Sequence, residues 1–394
     1  WLYLIIMIAT STTLLDFLIE TRAHSETICK PLQIEDYVVQ PIVDVSPPKW
    51  HLGHTTWFFE DFILKKYKAD YQEYDPNFSF VFNSYYESMG ARVVRTDRGN
   101  LSRPTVAEVY TYRKHVTHHL KELLEKTEAS EELQSLIEIG IHHEKQHQEL
   151  LLTDIKYILG NNPLQPMYTS DFSEYTPSDN KQEWIHKEEG IYEIGHQDDS
   201  FCYDNELGKH KVYLNAFKIS NQLVTNKEYL EFIEDGGYEQ VLLWHSEGWE
   251  WVKSLATKAP QYWQKQEGNW FYYGLDGVKP LDLKAPATHL SYYEAFAYAQ
   301  WKGCRLPTEF EWEASQDQFN WGQRWEWTES AYLPYPNYQK APGALGEYNG
   351  KFMVSQKVLR GGSVATSDKH TRPTYRNFFH PQLRWQFTGI RLAQ

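Results

Sequence analysis

The sequence predicts an α-helical bundle followed by an irregular α+β domain. Three observations carry that expectation: apolar residues at steps of three and four among helix formers up to Gly160, a Ser-, Thr-, Asp- and Pro-rich stretch from Tyr168 to Lys181, and short β-prone runs with many Gly and Trp from Trp184 onward. At 394 residues the chain is long enough for two or three domains, each burying its own core. We expect a helical bundle over residues 1–167, a linker over 168–183 and a second domain over 184–394.

The opening run Trp1–Ala9 is apolar, but it is too short to span a bilayer and lacks the basic flank of a secretory signal. The missing initiator Met suggests a fragment or a processed start. Ser11 to Cys29 reads as a helix, after which Pro31, Pro41, Pro47 and Pro48 punctuate an irregular passage. A second helix begins at Lys49 and puts His54, Trp57, Phe58 and Phe62 on one face. His51, one turn earlier, is a neighbour with weaker support from the pattern.

Past Tyr74-Asp75-Pro76-Asn77 the chain is non-helical through Asn83-Ser84-Tyr85-Tyr86-Glu87-Ser88-Met89-Gly90, with Arg92, Arg95, Arg98 and Arg103 beyond. Adjacent tyrosines usually pack and spaced arginines are usually solvated. Between metal-bearing helices they would instead supply a phenolic proton and a carboxylate clamp. Thr105–Lys126 is the third helix; its His115, His118 and His119 read as surface, crowded by Lys114, Lys121 and Glu122. The fourth runs from Glu131 to a stop at Gly160-Asn161-Asn162-Pro163. Four such helices suggest a four-helix bundle, which builds metal sites between facing helices. In the second domain two helices stand out, Asn226–Asp235 and Tyr292–Lys302, within an otherwise irregular pattern.

A net charge of −14 without a basic stripe excludes nucleic acid as the expected partner, and nothing reads as a membrane span. The 15 Trp, 28 Tyr and 19 Phe fit aromatic cores, aromatic pockets or both. Cys29, Cys202 and Cys304 are too widely spaced for a thiolate zinc site or a disulfide framework, so a reducing, cytoplasmic setting is expected.

The chemistry is stated most plainly by His143-Glu144-Lys145-Gln146-His147. Two imidazoles four residues apart share one helical face, within the stripe Leu136, Gly140, His143, His147 and Leu150. A lone His would be read as a core or surface residue; a pair at this spacing points to a metal. The run also fits H-E-x-x-H, in which Glu144 would serve a zinc protease as general base. The third ligand decides between these readings.

The second half resembles the formylglycine-generating-enzyme (sulfatase-modifying-factor) fold, a C-type-lectin-like domain. The resemblance is carried by Tyr203-Asp204-Asn205-Glu206, Val224-Thr225-Asn226-Lys227-Glu228-Tyr229, Arg305-Leu306-Pro307-Thr308-Glu309-Phe310-Glu311-Trp312, Leu359-Arg360-Gly361-Gly362-Ser363 and Gly389-Ile390-Arg391. Formylglycine formation is not expected, because it needs a redox-active cysteine pair near the C-terminus and the last cysteine here is Cys304. The first half resembles the DinB-like bundle. The fusion of the two is similar to the iron-dependent EgtB-type sulfoxide synthases of ergothioneine biosynthesis, on Trp50-His51-Leu52-Gly53-His54-Thr55-Thr56-Trp57-Phe58-Phe59-Glu60, the His143–His147 run and Arg376-Asn377-Phe378-Phe379-His380-Pro381. Related ovothiol-pathway enzymes carry an appended methyltransferase domain, absent up to Gln394, which favours the ergothioneine branch.

The resemblance implies Fe(II) held by His54, His143 and His147, a site in which Glu144 need not act as a base. It implies a reaction in which O2 joins the sulfur of cysteine or γ-glutamylcysteine to C2 of the hercynine imidazole and oxidises that sulfur to the sulfoxide. Tyr85 or Tyr86 matches the proton donor, Gln146 a position that bonds the hercynine imidazole, and Asn377 one near its trimethylammonium group. Phe379 and Leu383 stand where γ-glutamylcysteine users carry an acidic residue and an Arg, so cysteine is the expected donor, its carboxylate met by Arg95, with Arg92 and Arg98 close behind. The alternative is a zinc-dependent thiol transferase or hydrolase on the same three histidines.

Overall fold

The computed structural model describes residues 13–84, 86–126, 129–177, 181–341 and 343–394. The apolar run Trp1–Ala9, the expected helix start at Ser11, and Tyr85 lie outside them. Contacts divide the chain into two compact units, one of residues 1–39, 46–84 and 91–148, the other of residues 40–45, 85–90 and 149–394.

The first unit is built on four long helices, as the bundle pattern predicts. Helix α1 (Leu14–Cys29) starts where Thr13 and Asp16 form a reciprocal capping box, which places its first turn after Thr13. Helix α2 (Pro48–Phe59) opens on Pro48, whose missing N–H costs nothing in the first turn. Every residue of α2 is buried, so it is the core helix of the unit rather than an amphipathic wall. It passes into a π-helical turn, Glu60–Leu64, which brings Phe62 back to stack on Phe58 with ring centroids 4.6 Å apart. Helix α3 (Val106–Lys126) buries Val109, Tyr112, Val116, Leu120 and Leu123 at helical spacing. Helix α4 (Glu131–Asn161) contributes to this unit up to Gln148.

Two glycines let side chains approach these helices closely. A Cβ on Gly53 of α2 would lie 2.1 Å from the Phe82 ring, and one on Gly140 of α4 would lie 2.6 Å from the Phe59 ring. Gly53 thus brings Phe82 onto the helix one residue before His54.

In the second unit, β1 (Trp184–Lys187) and β12 (Arg391–Ala393) flank β4 (Phe217–Leu223), while β2 (Gly190–Ile194) and β3 (His210–Leu214) form a hairpin. Strands β5 (Trp263–Gln266), β6 (Asn269–Gly274) and β7 (Gly277–Pro280) make a meander. The remaining sheet has the order β10 (Asn377–Phe379), β9 (Lys357–Arg360), β8 (Trp325–Ala331), β11 (Thr388–Gly389), with β11 parallel to β8. Helix α5 (Asn226–Glu234) and helix α7 (Tyr292–Trp301) fall where the sequence predicts them. Helix α6 (Ser246–Ser254) and helix α8 (Glu309–Ser315) are additional. The S/T-x-x-E boxes Thr225/Glu228, Ser291/Glu294 and Thr308/Glu311 start α5, α7 and α8.

Many of the charged residues in the second unit's motifs are structural. Arg391 grips Glu326 through Nε and Nη2 at 2.6 and 2.7 Å, and the Trp312 indole N–H donates to the same carboxylate. Arg376 pairs with Glu309, Arg360 with Glu313 and Arg372 with Glu206, all between buried or largely buried groups. The segment read as a linker is anchored at Tyr168 and Glu174, while Ser170, Asp171, Ser173, Thr176, Pro177 and residues 181–183 are exposed. Glu174 accepts from Lys156 Nζ at 2.7 and 2.9 Å and from the Leu275 N–H at 2.7 Å, and the Tyr168 N–H donates to the Leu275 carbonyl. Polar composition gives no sign of those pairings because the partners come from α4 and the meander. The tail of α4 also buries Glu149, which accepts hydrogen bonds from Trp325, Ser363 and Thr366.

Candidate metal centre

Helix α2 presents His54, and α4 presents His143 and His147 one turn apart. One nitrogen from each lies within 4.8 Å of one from each of the others, and the three residues are buried. Ring centroids are 4.9 Å apart for His54 and His143, 4.7 Å for His54 and His147, and 4.7 Å for His143 and His147. Among the described residues no other group of three His, Cys, Asp or Glu side chains meets this geometry. His115, His118 and His119 sit partly or fully exposed on α3, as their charged neighbours predict.

Each imidazole is held from outside the cluster. The Phe82 carbonyl lies 2.7 Å from His54 Nδ1 and can only accept, so Nδ1 carries the proton and Nε2 the lone pair. The His54 ring is sandwiched between Trp50 (4.6 Å, 11°) and Trp57 (5.5 Å, 18°). Phe58 packs on His143 at 4.7 Å. His147 Nδ1 faces His51 Nδ1 at 2.9 Å.

Burial disfavours the charged imidazoles. It pushes His143 down to about 3 and drives His54 and His147 well below the usual histidine range, with neighbouring histidines adding to the effect on the latter two. Three neutral rings with nitrogens this close together suit a divalent cation of intermediate softness. The buried His54 Nε2, with no hydrogen-bond partner among the described residues, is the atom such an ion would satisfy.

Glu144 turns away from this chemistry. Its Oε2 receives Arg22 Nη1 at 3.0 Å, and its Oε1 receives Arg113 Nη2 and Ser25 Oγ, both at 2.7 Å. Burial alone would raise this carboxyl, but Arg113 and Arg22 outweigh it and hold Glu144 at about 2. A carboxylate so clamped is a poor proton acceptor, which removes the protease reading of H-E-x-x-H.

The other expected site residues are spread over both units. Gln146 is half-buried on α4 between the two histidines. Arg95 is exposed and Arg92 half-buried, whereas Arg98 is buried with its guanidinium 3.4 Å above the Trp50 ring, donating to Ser46 Oγ at 2.9 Å and Ser84 Oγ at 3.1 Å. Tyr86 is fully buried in the second unit, and Tyr85 is outside the described residues. Asn377 and Phe379 are half-buried on β10, where Asn377 Oδ1 accepts the Phe378 N–H. The pairing of His51 with His147 and the burial of Arg98 were not anticipated. The aromatic run around Trp50 was their one available signal.

Residues 18–151 match the DinB superfamily, and residues 170–324 and 320–394 match the sulfatase-modifying factor enzyme 1-like domain, which spans more than half of the chain. The chain belongs to the sulfatase-modifying factor enzyme 1-like family. It is 33% identical over 244 residues to the hercynine oxygenase of Mycobacterium tuberculosis, covering 50% of this chain and 56% of that protein. It is 31% identical over 248 residues to the hercynine oxygenase of Mycolicibacterium thermoresistibile, covering 50% and 54%. Identity to ergothioneine biosynthesis protein 1 of Schizosaccharomyces pombe is 26% over 272 residues, covering 59% and 31%. The chain spans about half the length of the hercynine oxygenases it matches.

Proposed function

We propose that this chain is a non-heme Fe(II)- and O2-dependent sulfoxide synthase that joins cysteine to C2 of the hercynine imidazole, giving hercynylcysteine sulfoxide. The observation that carries the reading is the cluster of three buried neutral imidazoles with its neighbouring carboxylate, Glu144, locked away by two arginines. Its similarity to proteins named hercynine oxygenase supports the substrate class. The reaction balances with one O2: the thiol S–H and the imidazole C–H are replaced by a C–S bond, one oxygen atom stays on sulfur, and the other leaves as water.

Iron, when bound, supplies one-electron reactivity towards O2 and lowers the pKa of a coordinating thiol. An all-imidazole set adds no negative charge, which leaves the site favourable to a thiolate. In this reading Gln146 bonds the hercynine imidazole and Asn377 lies near its trimethylammonium group, while Phe379 takes the position where γ-glutamylcysteine users carry an acidic residue. An arginine meets the cysteine carboxylate. Arg95 was the expected choice, and Arg98 has the added support of lying on the indole that stacks on His54. Tyr85 or Tyr86 donates the proton that keeps the thiol from ending as a sulfinate. The three free thiols fit a reducing, cytoplasmic setting.

The test is anaerobic reconstitution with Fe(II), then oxygen uptake and mass spectrometry with hercynine plus cysteine or γ-glutamylcysteine, beside His143→Ala. A sulfoxide from cysteine, absent in the variant, is expected. No oxygen uptake with either thiol, together with tightly held zinc, overturns the proposal in favour of a transferase or hydrolase.

A further inference from the structure

His54 and His147 meet different kinds of partner behind the cluster. Behind His54 stands a carbonyl, which fixes the tautomer outright. Behind His147 stands a second imidazole, with the two Nδ1 atoms 2.9 Å apart. A hydrogen bond between two imidazole nitrogens needs one proton. If His147 carries it, Nε2 of His147 presents a lone pair to the cluster. If His51 carries it, His147 Nδ1 accepts, the proton of His147 sits on Nε2, and that ring cannot bind a metal through Nε2.

His51 is built to stay where it is. It is buried on α2, one turn before His54, its carbonyl accepts from Thr55 Oγ1 at 3.1 Å, and its ring meets Trp50 edge to face at 5.8 Å. It is not among the three histidines whose nitrogens are mutually close enough to share an ion. Its ring stands 5.2 Å from that of His147 at an interplanar angle of 61°, edge to face.

We propose that His51 is a positioning residue for the metal centre, accepting the Nδ1 proton of His147 and so holding His147 in the tautomer whose Nε2 binds the ion. The inference rests on reading His54, His143 and His147 as a divalent-metal site. An imidazole nitrogen is a stronger acceptor than a carbonyl, so His147 becomes a more electron-donating ligand than His54. Helix α2 then contributes twice, with a ligand from one turn and the orienting group of another ligand from the turn before. Such partners typically govern metal affinity by 10- to 100-fold.

The test uses the full chain stripped of metal and titrated anaerobically with Fe(II) against a chromophoric chelator, with Co(II) absorption reporting coordination. His51→Asn puts an acceptor oxygen where Nδ1 stood; His51→Phe keeps a ring and removes the acceptor; His143→Ala removes a ligand. Thermal melts of the metal-free proteins report folding separately. The expected result is wild-type-like affinity for His51→Asn, affinity weakened about 10- to 100-fold for His51→Phe, and an unchanged Co(II) spectrum in His51→Asn. Equal affinity of His51→Phe and wild type overturns the proposal and leaves the metal site standing. A Co(II) spectrum altered in both His51 variants makes His51 a ligand and also overturns it. A wild type that binds no more tightly than His143→Ala overturns both readings.

Discussion

The carbonyl of Phe82 lies 2.7 Å from His54 Nδ1, and the ring of the same phenylalanine fills the space that a side chain on Gly53 would need. One residue therefore closes the helix surface and orients the imidazole next to it. Phe82 cannot swing aside cheaply, because its own ring is packed against Phe78 at 5.3 Å and Tyr112 at 6.2 Å.

Gly53→Ala should therefore cost both stability and metal. Overpacking at such a site costs about 1–3 kcal/mol, and any shift of the Phe82 carbonyl loosens His54. Urea unfolding of the metal-free protein and metal content after reconstitution should both fall. Wild-type stability in this variant would show that the Phe82 ring is not confined.

Glu144→Leu should unfold the protein more readily by about 3–5 kcal/mol, since it leaves Arg22 and Arg113 buried without their shared carboxylate. Denaturant titration measures it. A general base would behave differently, losing turnover with stability intact, so the two quantities separate the roles.

Lys156 gives the second unit a pH signature. Burial lowers this lysine from its usual 10.5 to about 8, against the upward pull of Glu174. Between about pH 8 and pH 10.5 the unfolded chain binds this proton and the folded chain does not, so the contribution of Lys156 to stability rises with pH across that window and is flat below it. Comparing wild type with Lys156→Met by urea midpoint at pH 7.5 and pH 9.5 cancels the other titrating groups to first order. The difference should favour wild type more at the higher pH.

Tyr86→Phe tests one of the two tyrosines proposed as proton donor. With the hydroxyl gone, oxygen uptake should persist while the ratio of coupled sulfoxide to cysteine sulfinate falls by roughly 10²-fold, the usual scale of a lost general acid. Mass spectrometry of the two sulfur products reads the ratio. An unchanged ratio would pass the assignment to Tyr85.

The bundle and the His143–His147 pair were legible because both are local patterns, whereas His54 as the third proposed ligand came from the family resemblance. His143 and His147 are four residues apart, and His54 sits in an aromatic run that reads as a buried helix. The supports of these imidazoles were not legible, because each comes from far along the chain. Phe82 is 28 residues from His54, and His51 is 96 from His147. Arg22 and Arg113 reach Glu144 from α1 and α3, and no spacing rule couples them. In the second unit the capping boxes were in plain view, yet α8 is only seven residues long and falls below the length at which periodicity can be read. The motifs Leu359-Arg360-Gly361-Gly362-Ser363 and Gly389-Ile390-Arg391 marked the family through residues that form buried ion pairs. They identified the fold and said little about its chemistry.

The pair of indoles clasping His54 has an optical consequence. Trp50 and Trp57 stack on an imidazole expected to sit directly on the ion, so their ultraviolet emission should dim when an open-shell cation enters and recover when a chelator withdraws it. Filling of the centre can then be followed in real time by the protein's own light, without dye or label, and a Trp50→Phe, Trp57→Phe double variant would go dark to that signal.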